Sequence, residues 1–304
     1  MKSNRRSGIK ATVIGAAACL ALTLWSVSAT AQAPAPAPGR VFKADPRALV
    51  RTYHMSDANQ DVEYCLFKSS KVSPGKPAPL IVALHGFGAG PQIMCNTTAV
   101  DLAEEGGYIL VAPMGYSVAG WYGSPVIHMR PRPGAGSAPG APAGSAPAAA
   151  SGPEAAGPSD ADIEKWSEED VMNVLGMVRR EFRIDPHRIY LTGHSMGGAG
   201  TYFLASRHAD IWAAVAPVAP AAFMMNQTRA EVLKGIKDGG VPILVVQGDA
   251  DSVVPVANAR TWVQTMKDMG MDYQYVELPG IDHGPVITAS QKYVYDFFAR
   301  HARR

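Results

Sequence analysis

Residues 193–197 read Gly-His-Ser-Met-Gly, which fits the Gly-x-Ser-x-Gly pattern of a serine nucleophile on a tight turn. The stretch before this pattern, IYLT, is strand-like, and the stretch after it, GAGTYFLA, is helix-like. Such a turn pushes the serine side chain into the open, and bulky residues in place of its glycines would strike the neighbouring strand or helix. The helix also directs free N–H groups toward the serine. The pattern predicts that Ser195 is a nucleophile. The alternative is a glycine-rich turn whose serine has no catalytic role.

A serine hydroxyl needs a base within hydrogen-bond reach, and that base needs a group that orients it. After this type of turn the acid and then the histidine follow the serine in the chain. His283 lies in the loop LPGIDHGP, after the last predicted strand. His301 lies in a charged helix tail, His208 ends the helix after the serine, and His187 precedes the serine. We therefore expect His283 to be the base.

The acid is expected on a loop after a strand between Ser195 and His283. The stretch PILVVQGDADSVVP offers Asp249 and Asp251. Asp249 directly follows a glycine and could brace the turn by accepting backbone N–H groups. Asp251 lies further out, nearer to where the histidine loop must be. Asp282 is the immediate neighbour of His283, and adjacent side chains in a loop diverge, so we expect a structural role for it. The residues alone leave Asp249 and Asp251 open.

Attack on a carbonyl group develops negative charge on its oxygen, which fixed N–H donors stabilise. One donor is expected to be the backbone N–H of Met196, directly after the nucleophile. The second is assigned to the N–H of Phe87, in the glycine-rich loop ALHGFGAG. His85 in the same loop is expected to orient the loop as a structural residue. Met196 and Phe87 together form the predicted oxyanion hole.

Two aromatic residues follow another predicted strand at the same edge. The stretch GYSVAGWYG at 115–123 contains Trp121 and Tyr122. These side chains could form the wall of a substrate-binding pocket. Buried core aromatics would give the same pattern, and the sequence leaves both interpretations open.

Apolar runs and amphipathic helix-like segments alternate along most of the chain. The strand-like runs after an initial hairpin are PLIVAL, YILVAP, RIYLT, WAAVAPV, PILVVQ and YQYVEL. Runs that are apolar throughout indicate strands buried on both faces. The sequence therefore predicts an α/β fold with a mostly parallel central sheet covered by helices on both faces. Ser167 is expected to be the N-cap of the helix that contains EEDVMNVLGMVRREF.

Three regions are expected along the chain. Residues 1–31 combine a basic start, an apolar run and small residues, which is typical of a signal peptide. A transmembrane anchor is the alternative, but the apolar run is short for a span. Residues 32–50 are expected to form a Pro/Ala-rich linker, and residues 51–304 one catalytic domain. A Pro-, Gly-, Ala- and Ser-rich insertion at 131–160 is expected to be disordered. It could partly cover the site, or it could be a surface loop without a role there.

The composition is that of a globular protein, with 47% hydrophobic and 18% charged residues among 304. The formal net charge is +2, and four of the 28 basic residues lie in the first ten positions. The nearly neutral body argues against a nucleic-acid partner. We expect a secreted or periplasmic monomer without a stable membrane span once the signal is removed. Cys65 and Cys95 would then form a disulfide or remain two buried thiols.

Several of these motifs together resemble the α/β-hydrolase superfamily, and more narrowly the bacterial secreted esterases. That group includes phospholipase/carboxylesterase, feruloyl-esterase and polyhydroxybutyrate-depolymerase-like proteins. The matching motifs are LHGFG, SEEDV, RIYLTGHSMGG, GDADSVVP and DHG. The resemblance covers the chain from Arg51 onward, except the insertion. It implies an α/β-hydrolase fold, with Asp251 as the acid and no metal or cofactor.

The predicted function is that of a secreted serine hydrolase that cleaves carboxylic esters through an acyl-enzyme. Ser195, Asp251 and His283 would form its catalytic triad. The substrate would be a small-molecule or polymeric ester. The alternatives are a serine peptidase of the prolyl-oligopeptidase type and a non-catalytic binding protein on the same fold.

Overall fold

A computed structural model of the chain describes residues 42–128, 157–223 and 227–303. Eight strands in these residues form one sheet: β1 Leu49–Met55, β2 Gln60–Lys68, β3 Ala78–Leu84, β4 Ile109–Pro113, β5 Ile184–His194, β6 Ala214–Val218, β7 Ile243–Gly248 and β8 Tyr273–Leu278. Their order in the sheet is β1-β2-β4-β3-β5-β6-β7-β8. β1 and β2 pair as an antiparallel hairpin, and β2 also pairs antiparallel with β4. All pairs from β4 to β8 are parallel, which confirms the predicted mostly parallel sheet.

Helices cover both faces of the sheet. The described helices are α1 Thr97–Gly106, α2 Asp160–Glu181, α3 Met196–Arg207, α4 Arg229–Asp238, α5 Val256–Asp268, α6 Val286–Ala289 and α7 Gln291–Ala299. α2 to α5 pack on one face and share one core with Ile189 and Leu191 of β5. α1, α6 and α7 pack on the other face with Tyr190. Strands buried on both faces need both helix layers, so this part of the fold prediction is confirmed. The last two of these helices, α6 and α7, are separated at Ser290.

The start of α2 differs from the prediction. Its N-cap is Ser159, whose side chain accepts from the N–H of Asp162, while the Asp162 carboxylate accepts from the N–H of Ser159. This reciprocal pair is a capping box, so the helix begins well before the expected cap. Ser167 lies inside the helix and is fully buried. Its hydroxyl accepts from the Gly123 N–H at 3.0 Å and donates to the Glu164 carbonyl at 3.0 Å. The assignment of Ser167 as N-cap was therefore wrong.

Ordered contacts begin before the expected domain start at residue 51. The N–H of Asp45 donates to the carbonyl of Cys95 at 2.8 Å, and β1 starts at Leu49. The predicted signal peptide, the first ten residues of the predicted linker and most of the predicted insertion lie outside the described residues. Residues 157–160 of that insertion are described, and α2 begins at the last of them. Within the described residues, none of the helices has the length and apolarity needed to cross a membrane.

A disulfide joins Cys65 to Cys95. Cys65 lies on β2, and Cys95 ends a 3-10 helix at Pro91–Cys95. The two Cα atoms are 6.5 Å apart, and both residues are fully buried in the core on the α1 face. Of the two alternatives left by the sequence, the structure therefore has the disulfide.

Candidate active site

Ser195 occupies the joint between β5 and α3 with a backbone conformation that is rare for a residue with a side chain. Its φ is +57° and its ψ is −115°. A positive φ at a non-glycine residue costs about 1–3 kcal/mol and persists only where the surrounding structure enforces it. Here the Ser195 N–H donates to the Val218 carbonyl at 3.0 Å, and the Ser195 carbonyl accepts from Ala199 at 3.0 Å and Ala221 at 2.9 Å. Three backbone hydrogen bonds thus hold the turn.

The glycines on either side of Ser195 lie too close to neighbouring backbone for a larger residue. A Cβ atom on Gly193 would collide with the carbonyl of Gly197, and one on Gly197 would collide with the carbonyl of Leu84 at the end of β3. α3 can therefore start directly above the sheet edge. This packing confirms the steric reason that the motif requires glycine at both positions.

The imidazole of His283 lies between Ser195 and Asp251. Its Nε2 is 2.9 Å from the Ser195 Oγ, and its Nδ1 is 2.8 Å from the Asp251 Oδ2. The other histidines considered from the sequence have different partners: the His208 Nε2 is 2.8 Å from the Glu168 carboxylate, and the His301 Nδ1 donates to the Phe297 carbonyl at 2.7 Å. The structure thus brings together Ser195 and His283, which the sequence pattern selected, with Asp251, which the resemblance selected.

The carboxylate of Asp251 is fully buried and accepts a hydrogen bond at each oxygen. Oδ1 accepts from the N–H groups of Val253 at 2.9 Å and Val254 at 2.7 Å. Burial by itself raises the pKa of Asp251, but the hydrogen bonds from His283, Val254 and Val253 outweigh it and hold the pKa below its ordinary value. Asp251 is therefore a carboxylate at neutral pH and can orient the Nδ1–H of His283.

The two neighbouring aspartates brace loops. The Asp249 Oδ1 accepts from the N–H of Gly280 at 2.6 Å, as its place after a glycine suggested. The Asp282 Oδ1 accepts from the N–H groups of Ser252 at 2.8 Å and His283 at 2.7 Å. Asp282 thus ties the histidine loop to the acid loop, and its pKa is lowered by these backbone hydrogen bonds. Neither carboxylate bonds to the His283 ring in the described structure.

Gln247 supports the acid and was missed from the sequence. It is fully buried near the end of β7, and its Nε2 donates to the Asp251 Oδ2 at 2.9 Å and to the Val254 carbonyl at 3.1 Å. The available signal was a single amide in the otherwise apolar run PILVVQ. A buried amide must find hydrogen-bond partners, and at the carboxyl end of a strand those partners lie in the following loop.

The loop after β3 lies against the nucleophile. A Cβ atom on Gly86 would be 3.3 Å from the Ser195 Cβ, so the loop backbone packs directly on the serine. The next N–H, that of Phe87, and the N–H of Met196 donate to no acceptor within the described part of the chain. Neither donor has a partner among the described residues, and the oxyanion hole formed by these two N–H groups stays a prediction.

His85 packs under the loop that follows β3 and contacts it through its ring, in keeping with the structural role expected for it. It is fully buried, with Nε2 at 2.8 Å from the Met114 carbonyl and Nδ1 at 2.9 Å from the Gly86 carbonyl. Burial lowers the pKa of His85. The imidazole therefore links the loop after β3 to the loop after β4.

Trp121 and Tyr122 are both buried, with 2% and 0% of their surface exposed. The Tyr122 hydroxyl accepts from the His85 N–H at 3.1 Å. This contact favours the interpretation of Tyr122 as a buried core residue. Its hydroxyl contacts the backbone at the start of the loop that contains Phe87. The Trp121 ring is 6.3 Å from the Phe87 ring and so reaches the loop at the site. Contact of either residue with substrate stays a prediction.

Exposed apolar side chains lie on loops at the sheet edge that carries Ser195. Large apolar residues stand on the loops after four strands, with 41–52% of their surface exposed: Phe87 after β3, Val118 after β4, Phe223 after β6 and Val253 after β7. These strand ends meet at the edge of the sheet that carries Ser195. The edge of the sheet that carries Ser195 therefore also carries exposed apolar side chains.

His194, directly before the nucleophile, is a second residue that the sequence analysis did not select. Its Nε2 lies 2.9 Å from the carbonyl oxygen of His283. The ring is 4.6 Å from the His283 ring, measured between centroids. The only sequence signal was its position in the motif.

Comparison with known proteins finds esterases. Cutinase 1 of Thermobifida cellulosilytica is 35% identical over 101 residues, which cover 33% of this chain and 35% of that protein. The bifunctional acetylxylan esterase/xylanase XynS20E of Neocallimastix patriciarum is 25% identical over 214 residues, which cover 69% and 24% of the two chains. The chain spans less than half the length of the curated relatives it matches.

Solved structures share the fold at low sequence identity. A ferulic acid esterase from Anaeromyces mucronatus, solved with ferulic acid, superposes with a TM-score of 0.59 at 18% identity. The superposition covers 84% of this chain and 90% of that one. The Dienelactone hydrolase family matches residues 67–302 of the sequence. The chain therefore belongs to the Dienelactone hydrolase family, within the α/β-hydrolase superfamily.

Proposed function

We propose that this protein is a serine hydrolase that cleaves carboxylic esters through an acyl-enzyme, with Ser195, His283 and Asp251 as its catalytic triad. The observation that carries the proposal is the position of the His283 ring, 2.9 Å from the Ser195 Oγ and 2.8 Å from the Asp251 Oδ2. A base in contact with the nucleophile, and an acid in contact with the base, are what activation of a serine hydroxyl needs.

In the first half of the reaction, the Ser195 Oγ attacks the ester carbonyl carbon and its proton passes to the His283 Nε2. Asp251 keeps the Nδ1–H of the ring directed at itself and stabilises the imidazolium that forms. The carbonyl oxygen becomes an oxyanion, which accepts from the N–H groups of Phe87 and Met196. His283 then gives the proton to the departing alcohol oxygen, which leaves an acyl group on Ser195.

In the second half, a water molecule attacks the acyl carbon and loses its proton to the His283 Nε2. The same two N–H groups stabilise the second oxyanion. The Ser195 oxygen leaves and takes the proton back from His283, so the carboxylic acid is released and the serine is restored. These steps need no group beyond the side chains and N–H donors described above.

Esters with apolar groups are the proposed substrates, as small molecules or polymers. The exposed side chains of Phe87, Val118, Phe223 and Val253 at the same sheet edge as the serine support this choice, because apolar surface near a site favours apolar ligands. The relatives whose names are cutinase, acetylxylan esterase and ferulic acid esterase support an ester as the bond that is cleaved.

We also propose that the protein is secreted or periplasmic and acts as a monomer. The signal-like composition of residues 1–31 supports export. The disulfide between Cys65 and Cys95 supports an oxidising compartment.

The test is a comparison of 4-nitrophenyl esters of increasing acyl length with the matching 4-nitroanilides. We expect wild type to hydrolyse the esters with a higher kcat/KM than the anilides, and Ser195→Ala to hydrolyse neither. A preference for anilides would favour a peptidase. Absence of turnover, together with failure of a fluorophosphonate to label the folded protein, would favour a binding protein.

A further inference from the structure

The side chain of His194 makes its hydrogen bond to the backbone of the proposed base. His194 ends β5, one residue before Ser195, and only 6% of its surface is exposed. Its Nε2 is 2.9 Å from the His283 carbonyl oxygen. A carbonyl oxygen can only accept, so the Nε2 of His194 must carry the hydrogen. The nucleophile strand therefore holds the base loop through this side chain.

The ring of His194 is neutral. Burial, together with the positive charge that His283 carries when protonated, lowers the pKa of His194 to about 3. With its one hydrogen on Nε2, the Nδ1 of the ring is unprotonated and lies against the loop after β3, where a Cβ on Gly86 would be 3.1 Å away. His194 thus packs between the base loop and the loop that supplies the Phe87 N–H.

Two side chains fix the base loop from different directions. Asp282 accepts from Ser252 and ties the loop to the acid loop after β7. His194 donates to the carbonyl of His283 and so connects His283 to the end of β5. The first connection joins the base loop to the loop that carries Asp251, and the second joins it to the strand that directly precedes Ser195. A ring displaced by about 1 Å from its reacting partner can cost a factor of about 10² in rate.

We propose that His194 is a positioning residue, whose Nε2–H holds the backbone of His283 so that the imidazole stays in hydrogen-bond contact with the Ser195 Oγ. The inference rests on the proposed serine-hydrolase function and deepens it. His194 transfers no proton and does not touch the substrate. Its contribution is to keep the base within reach through both halves of the reaction.

The test uses two amide side chains of different reach. In His194→Gln the amide nitrogen can take the place of the imidazole Nε2, so the donor to His283 is retained. In His194→Asn the amide is one carbon shorter and falls near the place of Nδ1, so the carbonyl of His283 loses its donor. Both replacements are neutral and polar, and only the donor position differs. Exposed His187, whose Nδ1 is 3.1 Å from the Arg303 carbonyl oxygen, provides the control His187→Asn.

We expect kcat of His194→Asn for a 4-nitrophenyl ester to fall by about 10- to 100-fold, while KM changes by less than about threefold. The second-order rate constant for fluorophosphonate labelling of Ser195 should fall in parallel, since it also depends on activation of the serine. His194→Gln should recover most of both rates, and His187→Asn should match wild type. Equal losses in the Gln and Asn variants, or wild-type kcat in the Asn variant, would overturn the positioning role.

The wild-type protein gives an independent measurement if the Asn variant does not fold. Long-range proton–nitrogen correlation of the histidine side chains should find His194 neutral, with its hydrogen on Nε2, at pH 6 to 8. A hydrogen on Nδ1 would overturn the inference. Failure of the hydrolase proposal looks different, because wild type itself would then neither turn over esters nor be labelled at Ser195.

Discussion

The Nδ1 of His283 lies 2.8 Å from the Oδ2 of Asp251, whose side chain has no exposed surface. The carboxylate is held there by Gln247 and by the backbone N–H groups of Val253 and Val254. These donors fix both the charge and the orientation of the acid before any substrate binds. A carboxylate in this setting can stabilise an imidazolium without first reorganising, which is how fixed polar groups assist proton transfer.

Replacement of Asp251 by asparagine should remove most of the activity and leave the fold largely unchanged. The amide keeps the shape of the carboxylate, but it no longer holds the His283 ring in the tautomer that accepts the serine proton. We expect kcat to fall by about 10³- to 10⁴-fold. Asp249→Asn is the matched control, because its amide oxygen can still accept from the Gly280 N–H. A larger loss in Asp249→Asn than in Asp251→Asn would move the acid to position 249.

The Phe87 N–H can be tested by replacing it with proline, which lacks that donor. We expect Phe87→Pro to lower kcat for 4-nitrophenyl esters by about 10²- to 10³-fold, as loss of one oxyanion donor does. Phe87→Ala removes the exposed ring but keeps the N–H, so it should retain kcat. Thermal unfolding of both variants checks that the loop remains folded. Equal kcat values in the proline and alanine variants would exclude the Phe87 N–H as an oxyanion donor.

His194 should make the folded protein less stable as the pH falls. Its pKa is lowered to about 3 in the folded state, against 6.5 as the ordinary value. Below pH 6.5 the unfolded chain therefore binds a proton at this residue that the folded chain does not, and the free energy of unfolding decreases. Each pH unit below 6.5 costs about 1.4 kcal/mol, and almost nothing is lost above it, so the loss between pH 7.5 and 5.0 is about 2 kcal/mol.

Urea denaturation at the two pH values measures this effect. His194→Gln should lose about 2 kcal/mol less than wild type on acidification, since glutamine does not titrate. His187→Gln changes an exposed histidine instead and should follow wild type. The same acid-induced loss in wild type and His194→Gln would mean that His194 is protonated in the folded protein.

The disulfide between Cys65 and Cys95 should contribute to stability and not to catalysis. The two cysteines are 30 residues apart, and closing a loop of that size in the unfolded chain is worth about 3–4 kcal/mol. The double replacement with alanine should lower the free energy of unfolding by about this amount in urea. Its kcat should equal that of wild type. A loss of kcat in a double variant that remains folded would connect the disulfide to the site.

The local features of the site could be predicted from the sequence because each depends on a short stretch of chain. The turn at Ser195 requires its flanking glycines, and the free N–H of Met196 follows from its place as the first residue of a helix. The chain order of nucleophile, acid and base selected His283. Asp249 and Asp251 stayed open because the choice depends on how far the acid loop extends, which the resemblance supplied and the residues did not.

Contacts across the edge of the sheet could not be predicted. Gln247 and His194 lie at or next to the ends of different strands, and their partners lie on loops whose paths are set by tertiary packing. The error at Ser167 had another cause: Ser159, the residue that caps the helix, lies in the stretch 131–160 that was assigned to the insertion by its composition, and its partner Asp162 follows that stretch. The Ser-x-x-Asp spacing was a usable signal for an earlier helix start. For Tyr122, the sequence could not distinguish a pocket wall from a core ring.

The central claim is that the Ser195 Oγ forms the covalent bond to the acyl group. Its most direct test is mass spectrometry of wild-type protein after reaction with a fluorophosphonate. In that reaction the serine oxygen bonds to phosphorus and fluoride leaves. We expect one adduct, on the tryptic peptide 189–207 that contains Ser195, and none in Ser195→Ala or in unfolded protein. An adduct on a different peptide, or ester turnover by an enzyme whose Ser195 stays unmodified, would contradict Ser195 as the nucleophile.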